Sequence, residues 1–269
     1  MNPQRTFAIA LRQYYLIRGS FARFLPTFTW VAIDMILWGF MSRYLDRLAG
    51  PSAGVHFVPL LLGAVLLWDF LVRVAHGVTV SFLEDLWARN FLNFFATPLT
   101  VSDYLGGLII TAVATSAIGL AVMLALATTI FGLPFFSFGL LALPYLFILF
   151  FSGITLGILG AALVLRLGPA SEWFIWMIPA CVAPFSAVYY PMASMPAWMR
   201  AVGYAVPPSY VFEGMRASLA RGTVAPGPLA AGMALVAAYT ALAWWCFQRT
   251  YRHALRTGRI ARYSAESVA

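Results

Sequence analysis

Six stretches of the chain, roughly residues 24–45, 56–80, 103–131, 138–165, 172–191 and 227–249, are apolar and long enough for a helix to cross ~30 Å of hydrocarbon. No other feature constrains the fold as much. A backbone in lipid must satisfy its own hydrogen bonds, so such runs predict spanning helices and exclude irregular lipid-facing structure. Composition agrees: charged residues make up 10% of the chain, against about 25% in a soluble domain, and mean hydropathy is +0.85. The expected fold is an all-α integral membrane protein with six transmembrane helices. Residues 24–249 form one transmembrane domain, residues 1–23 an interfacial N-terminal segment, and residues 250–269 a basic tail.

Charge orients the spans. The basic residues number 17 against nine acids, all are arginine, and the net charge is +8. With no lysine, a phosphate-loop lysine and a Schiff base are both excluded for this chain. The arginines lie beside spans, which suits orientation better than nucleic-acid binding. With the N-terminus inside, Arg5, Arg12, Arg18, Arg23, Arg89, Arg166, Arg249, Arg252, Arg256, Arg259 and Arg262 are cytoplasmic. Arg43, Arg47, Arg200, Arg216 and Arg221 are outside, and Arg73 lies within a span. That imbalance favours cytoplasmic termini. The first segment lacks the short apolar core and cleavage site of a secretory signal and is expected to remain on the protein. Its Phe7, Leu11, Tyr14 and Tyr15 make an apolar face for the membrane surface. Cys181 and Cys246 lie far apart in apolar runs, so neither a disulfide nor a metal site is expected.

The polar interruption Phe82–Pro98 reads as an amphipathic helix. Leu83, Trp87, Phe91 and Phe94 share one stripe, and Asp85, Arg89 and Asn93 another, with Asp85 and Arg89 spaced as a helical ion pair. Such a helix either packs a loop onto the bilayer or presents a surface to a soluble partner. Within spans, Asp34 lies between Trp30 and Trp38, and Asp69, Arg73 and His76 follow one another at helical spacing. Intramembrane charges are functional candidates because each is costly in lipid. The spacing of Asp69 and Arg73 predicts a self-neutralising pair. Asp34 either bonds a neighbouring span, Arg73 included, or faces a polar path. Trp30, Trp38, Tyr44 and Trp68 would line such a path or else belong to interfacial belts.

Gly153, Gly157 and Ala161 form a small-residue stripe suited to close helix packing, and Pro144 and Pro179 predict kinks. Pro184 to Arg216 is too broken for one span and too apolar for a solvated loop. It reads as a re-entrant hairpin: a short helix over 197–205, a return at Pro207-Pro208, and a second helix with Glu213 and Arg216 at i, i+3.

Two groups of residues resemble the permease subunits of ABC-2-type transporters. One is Val188-Tyr189-Tyr190-Pro191, then Met195-Pro196-Ala197-Trp198 and Pro207 through Phe212-Glu213-Gly214-Met215-Arg216. The other is Arg89-Asn90-Phe91-Leu92-Asn93, then Ala96-Thr97-Pro98-Leu99 and Tyr104. The resemblance covers essentially the whole chain. It implies a bacterial inner-membrane exporter built as a homodimer on two ATP-binding cassette subunits. Phe82–Pro98 would be the coupling helix, with Glu84, Asp85, Arg89 and Asn90 as ATPase contacts. The path between the two copies would be lined by Trp30, Asp34, Trp38, Trp68 and Asp69. Tyr189, Tyr190, Pro191, Trp198, Glu213 and Arg216 would form the outer gate. The chain would be no enzyme and would bind no cofactor or metal, ATP and Mg belonging to the partner. The cargo would be an amphipathic molecule such as a lipid-linked glycan, glycolipid or drug.

Two other classes remain. An ion- or proton-coupled secondary transporter would use Asp34, Asp69 and Arg73, with His76, as a relay. No inverted repeat of broken helices supports it. An intramembrane enzyme is disfavoured: there is no His-Glu-x-x-His or Gly-x-Ser-x-Gly motif, Ser152-Gly153 has no base nearby in sequence, and the histidines are His56, His76 and His253.

Overall fold

The computed structural model describes residues 1–50, 57–88, 90–133, 142–221 and 226–258, the side chains of 22–28, 31, 92, 95, 142, 169 and 219–221 excepted. Apart from short turns and connections the described residues are helical, with no strand among them. In order come α1 (Pro3–Arg18), α2 (Phe21–Ala49), a π-helical turn (Val58–Leu62) leading into α3 (Gly63–Trp87), α4 (Phe91–Phe95) and α5 (Val101–Phe131). They are followed by α6 (Ala142–Leu167), α7 (Trp173–Val182), α8 (Ala197–Gly203), α9 (Pro207–Arg221) and α10 (Pro226–Arg256). Four helical stretches, Val58–Trp87, Val101–Phe131, Leu143–Leu167 and Pro226–Arg256, are long and apolar enough to cross a membrane. The chain is a multi-pass membrane protein.

α3 is the axis of the bundle. Leu62, Leu66, Leu71, Val74, Val78 and Phe82 are all fully buried along it, and α5, α6 and α7 pack around it. The small-residue stripe of α6 makes the closest approach. A Cβ on Gly153 would lie 2.7 Å from Leu71 O, one on Gly157 2.8 Å from Val78 Cβ, and one on Gly160 2.7 Å from Thr79 Oγ1. That closeness lets the Thr79 hydroxyl donate across the interface to the Gly157 carbonyl at 3.0 Å. α10 closes the far side of α6, where Thr155 and Thr240 share a 2.8 Å hydroxyl bond.

α1 lies along the start of α5. Thr6, Ile9 and Gln13 are its buried stripe, seated on Gly106 and Gly107, where a side chain would collide with Thr6 and Ile9. Phe7, Leu11, Tyr14 and Tyr15 are left exposed, as an interfacial face requires.

Several boundaries differ from expectation. α3 runs on past residue 80 to Trp87, because Phe82, Leu83 and Leu86 continue its buried stripe and no breaker intervenes. Phe82–Pro98 is therefore not one amphipathic helix: its first part belongs to α3 and only Phe91–Phe95 is a separate turn of helix. The expected fifth span, 172–191, is helical over Trp173–Phe185 alone, its last turn 3-10 around Pro184. Pro144 sits in the first turn of α6, where its missing N–H disrupts nothing, whereas Pro179 lies inside α7. α10 passes residue 249 without a break and ends at Arg256, and residues 259–269 lie outside the described part.

Candidate functional site

Three clusters of polar side chains join the helices. At the α1 end, Asp85 is 2% exposed and receives both guanidinium nitrogens of Arg12, at 2.6 and 3.1 Å. The Tyr104 hydroxyl donates to the same carboxylate at 2.8 Å. Arg12 also lies over the Phe94 ring at 4.8 Å, and Arg5 donates to the Pro98 carbonyl. Asp103 caps α5 through Thr100 and accepts the backbone N–H of Asn2 at 2.7 Å. α1 is thereby clamped to the end of α3, to α4 and to the start of α5. Beneath the clamp, Phe82, Phe91 and Tyr104 form an aromatic cluster with centroids 5.0 to 6.2 Å apart.

This corrects the reading of Asp85 as a partner contact. Its carboxylate is consumed inside the chain, paired with Arg12 from a helix some seventy residues away in sequence. Glu84 is half-buried, Asn90 is half-buried and donates its N–H to the Asp85 carbonyl, and Arg89 lies outside the described residues. The surface left open on this end is Trp87, Ala88, Asn93 and Ala96 to Pro98.

At the opposite end, the hairpin is held by α9. Glu213 accepts the Met192 N–H at 2.9 Å and pairs with Arg216 at 3.0 Å. Arg216 in turn donates to the carbonyls of Ala187 and Val188, at 2.5 and 2.8 Å. Burial disfavours the Arg216 charge and lowers its pKa, an effect the Glu213 carboxylate opposes. Ala187 sits at φ 56°, a left-handed conformation costing a non-glycine residue about 1–2 kcal/mol, and it is fully buried. The strained turn is over-determined by Arg216, and Tyr189, two residues on, stacks on Trp38 of α2. Tyr190 donates to the Pro184 carbonyl at 2.8 Å, Trp198 meets Phe185 edge-on, and Pro191 is exposed at the tip. The i, i+3 spacing of Glu213 and Arg216 did signal a pair. Its grip on a turn some thirty residues upstream left no trace in the sequence.

Between the two ends lies the intramembrane cluster. Arg73 Nε donates to Asp69 Oδ2 at 2.5 Å, with both side chains about 15% exposed, so the pair predicted from spacing forms. The Arg73 stem passes over Gly119 of α5. Asp34, mid-helix on α2, lies close enough to feel the charges of both Asp69 and Arg73. Trp38, one turn on from Asp34, stacks on Tyr189 at 5.5 Å, and Tyr189 in turn lies in the field of Asp34. His76, one turn beyond Arg73, has its ring 4.4 Å from that of Trp176 on α7, and its Nε2 is buried with no hydrogen-bond partner among the described residues. Asp34, Trp38, Asp69, Arg73 and Tyr189 thus form one partly exposed polar and aromatic cluster.

Not every expected wall residue belongs to it. Trp68 is buried against Phe212 of α9, 6.5 Å between rings, and serves packing rather than the cluster. Trp30 is 62% exposed on the outer face of α2, and Tyr44 is exposed farther along. Among the described residues no group of His, Cys, Asp and Glu could hold a metal ion. Cys181 and Cys246 are free. No protein-family model matches the chain, and no curated protein matches it.

Proposed function

We propose that the chain is the membrane-spanning subunit of an ATP-driven ABC-2-type exporter, working as a pair of copies on two separate ATP-binding cassette subunits in a bacterial inner membrane. The observation that carries this reading is the clamp at the α1 end. The Arg12–Asp85–Tyr104 bonds tie α1, α3 and α5 together, and a short helical turn, α4, rests on them through Phe91 and Phe94, which pack on Phe82, Tyr104 and the Arg12 guanidinium. A push on α4 would therefore reach three helices together, which is what a handle for an external motor requires. The contact surface would include Trp87, Ala88, Asn93 and Ala96 to Pro98, with the half-buried Glu84 and Asn90 at its edge and Asp85 behind it.

The path of the chain supports six passes. α1 and the last turns of α10 lie at the same end, since Phe82 of α3 meets Phe247 of α10 at 5.9 Å near the Asp85 clamp. An even number of crossings is then needed. α2, α3, α5, α6 and α10 supply five, and α7 with the hairpin returns the chain. The cluster of Asp34, Trp38, Asp69 and Tyr189 would be each copy's half of the path for an amphipathic cargo, with the Arg216-held turn as its outer gate. ATP would close the partner dimer, and α4 would carry that motion to the cluster.

The test is purification of a tagged copy from native membranes in mild detergent, with mass spectrometry of what accompanies it. A stoichiometric soluble ATPase is expected. Recovery of the chain alone, even after crosslinking, would overturn the reading. In that case the buried charges of Asp34, Asp69 and Arg73, with the orphaned Nε2 of His76, favour ion-coupled secondary transport. Uptake or efflux that collapses with the proton gradient while ATP persists would mark that alternative.

A further inference from the structure

We propose that Asp34, Trp38 and Tyr189 form a recognition site for a lipophilic monovalent cation, an amine or onium ion carried on an apolar body; this rests on the exporter reading for its purpose but not for its geometry. Three separate observations converge here. The first is charge. The cluster holds two carboxylates and one guanidinium, and Arg73 is committed to Asp69 at 2.5 Å. Asp34 has no hydrogen bond or ion pair among the described residues, although it lies half-buried in the middle of a 29-residue helix. A carboxylate at that depth calls for a cation, and among the described residues none bonds it directly, Arg73 acting on it only at a distance.

The second is the wall. Trp38, one turn from Asp34 on the same face of α2, is stacked on Tyr189 at 5.5 Å, so a pair of aromatic rings lies one helical turn along from the carboxylate. A carboxylate beside aromatic faces is the arrangement that binds quaternary and bulky ammonium ions, the rings interacting with the diffuse charge and the acid neutralising it. A hydrated metal ion would want more oxygen ligands than the described residues gather here. The third is construction. Tyr189 is carried by a turn whose backbone is strained at Ala187 and held by two Arg216 hydrogen bonds, so the ring is placed rather than loosely draped. An anion would meet Asp34 and Asp69 with Arg73 already occupied, so the site discriminates by sign.

The experiment uses the full chain in lipid nanodiscs, with radiolabelled tetraphenylphosphonium as probe and tetraphenylborate as its anion of the same shape. The wild type should bind the cation saturably, and tetraphenylborate should not displace it. Asp34→Asn should weaken binding about tenfold or more, while Asp34→Glu retains most of it. Equal displacement by tetraphenylborate, absence of saturable binding to the wild type, or unchanged affinity in Asp34→Asn would overturn the site. The comparison of the two ions on the wild type needs no variant to fold. Failure here with an ATPase still co-purifying removes the cation site and leaves the exporter; cation binding without any ATPase does the reverse.

Discussion

Asp85 is where reading by spacing went furthest astray, and the reason is physical. Its i+4 neighbour is Arg89, which makes a helical pair look sufficient. The carboxylate instead meets Arg12 and Tyr104, from helices that a single sequence cannot place beside it. The asymmetry of that pair yields a prediction. Arg12 is 28% exposed and can turn to water if its partner is lost, whereas Asp85 cannot. Arg12→Ala strands a buried carboxylate with one hydroxyl and should approach the about 3–5 kcal/mol cost of breaking a buried pair. Asp85→Asn keeps an acceptor for Tyr104 and should cost clearly less. Tyr104→Phe removes one bond to a charged acceptor, about 1–3 kcal/mol. Thermal unfolding in detergent should rank them Arg12→Ala worst; equal losses for Arg12→Ala and Asp85→Asn would mean that water reaches Asp85. The Thr100–Asp103 capping box, by contrast, rests on a local signal that the reading by apolar runs passed over: a hydroxyl three residues before an acid at the head of such a run.

Elements were legible to the extent that their cause is local. α5 at Val101–Phe131 and α6 at Ala142–Leu167 stand close to their expected ranges because apolar length alone defines them. The end of α3 was not legible: two acids at Glu84 and Asp85 look like the start of a polar surface, although the buried stripe through Phe82, Leu83 and Leu86 continues beneath them. The glycine stripe of α6 announced close packing but not its partner, which is α3. Its energetics can be measured. Gly157→Ala places a Cβ 2.8 Å from Val78 Cβ and 3.0 Å from the Ala75 carbonyl, and backbone cannot yield as a side-chain tip can. Overpacking of about 1–3 kcal/mol is expected, with loss of the Thr79 to Gly157 bond. Gly227→Ala, where nothing lies within 4 Å of the added methyl, should stay within about 0.5 kcal/mol. A neutral Gly157→Ala would show that α3 and α6 separate in lipid.

At the scale of the whole molecule, α1 and the last turns of α10 at one end of the bundle and a broken hairpin at the other make a testable topology. Membrane class and the two-ended plan followed from hydropathy and from proline spacing. The clamp, the cluster and the strained Ala187 turn did not, because each is made by residues far apart in sequence. On the proposed reading the arginine imbalance favours a cytoplasmic α1 end, and two exposed positions would report on that directly. Thr97 lies on the open surface beyond α4, and Ser194 lies in the hairpin turn held by Glu213 and Arg216. In a background with Cys181 and Cys246 replaced by alanine, Ser194→Cys should react with an impermeant maleimide on intact spheroplasts, and Thr97→Cys only in inverted vesicles. Labelling of both from one side would mean that α7 and its hairpin dip into the bilayer without completing a pass. Labelling with the sides exchanged would put α4 out of reach of any ATP-bearing partner, and the clamp would then have to serve the bundle alone.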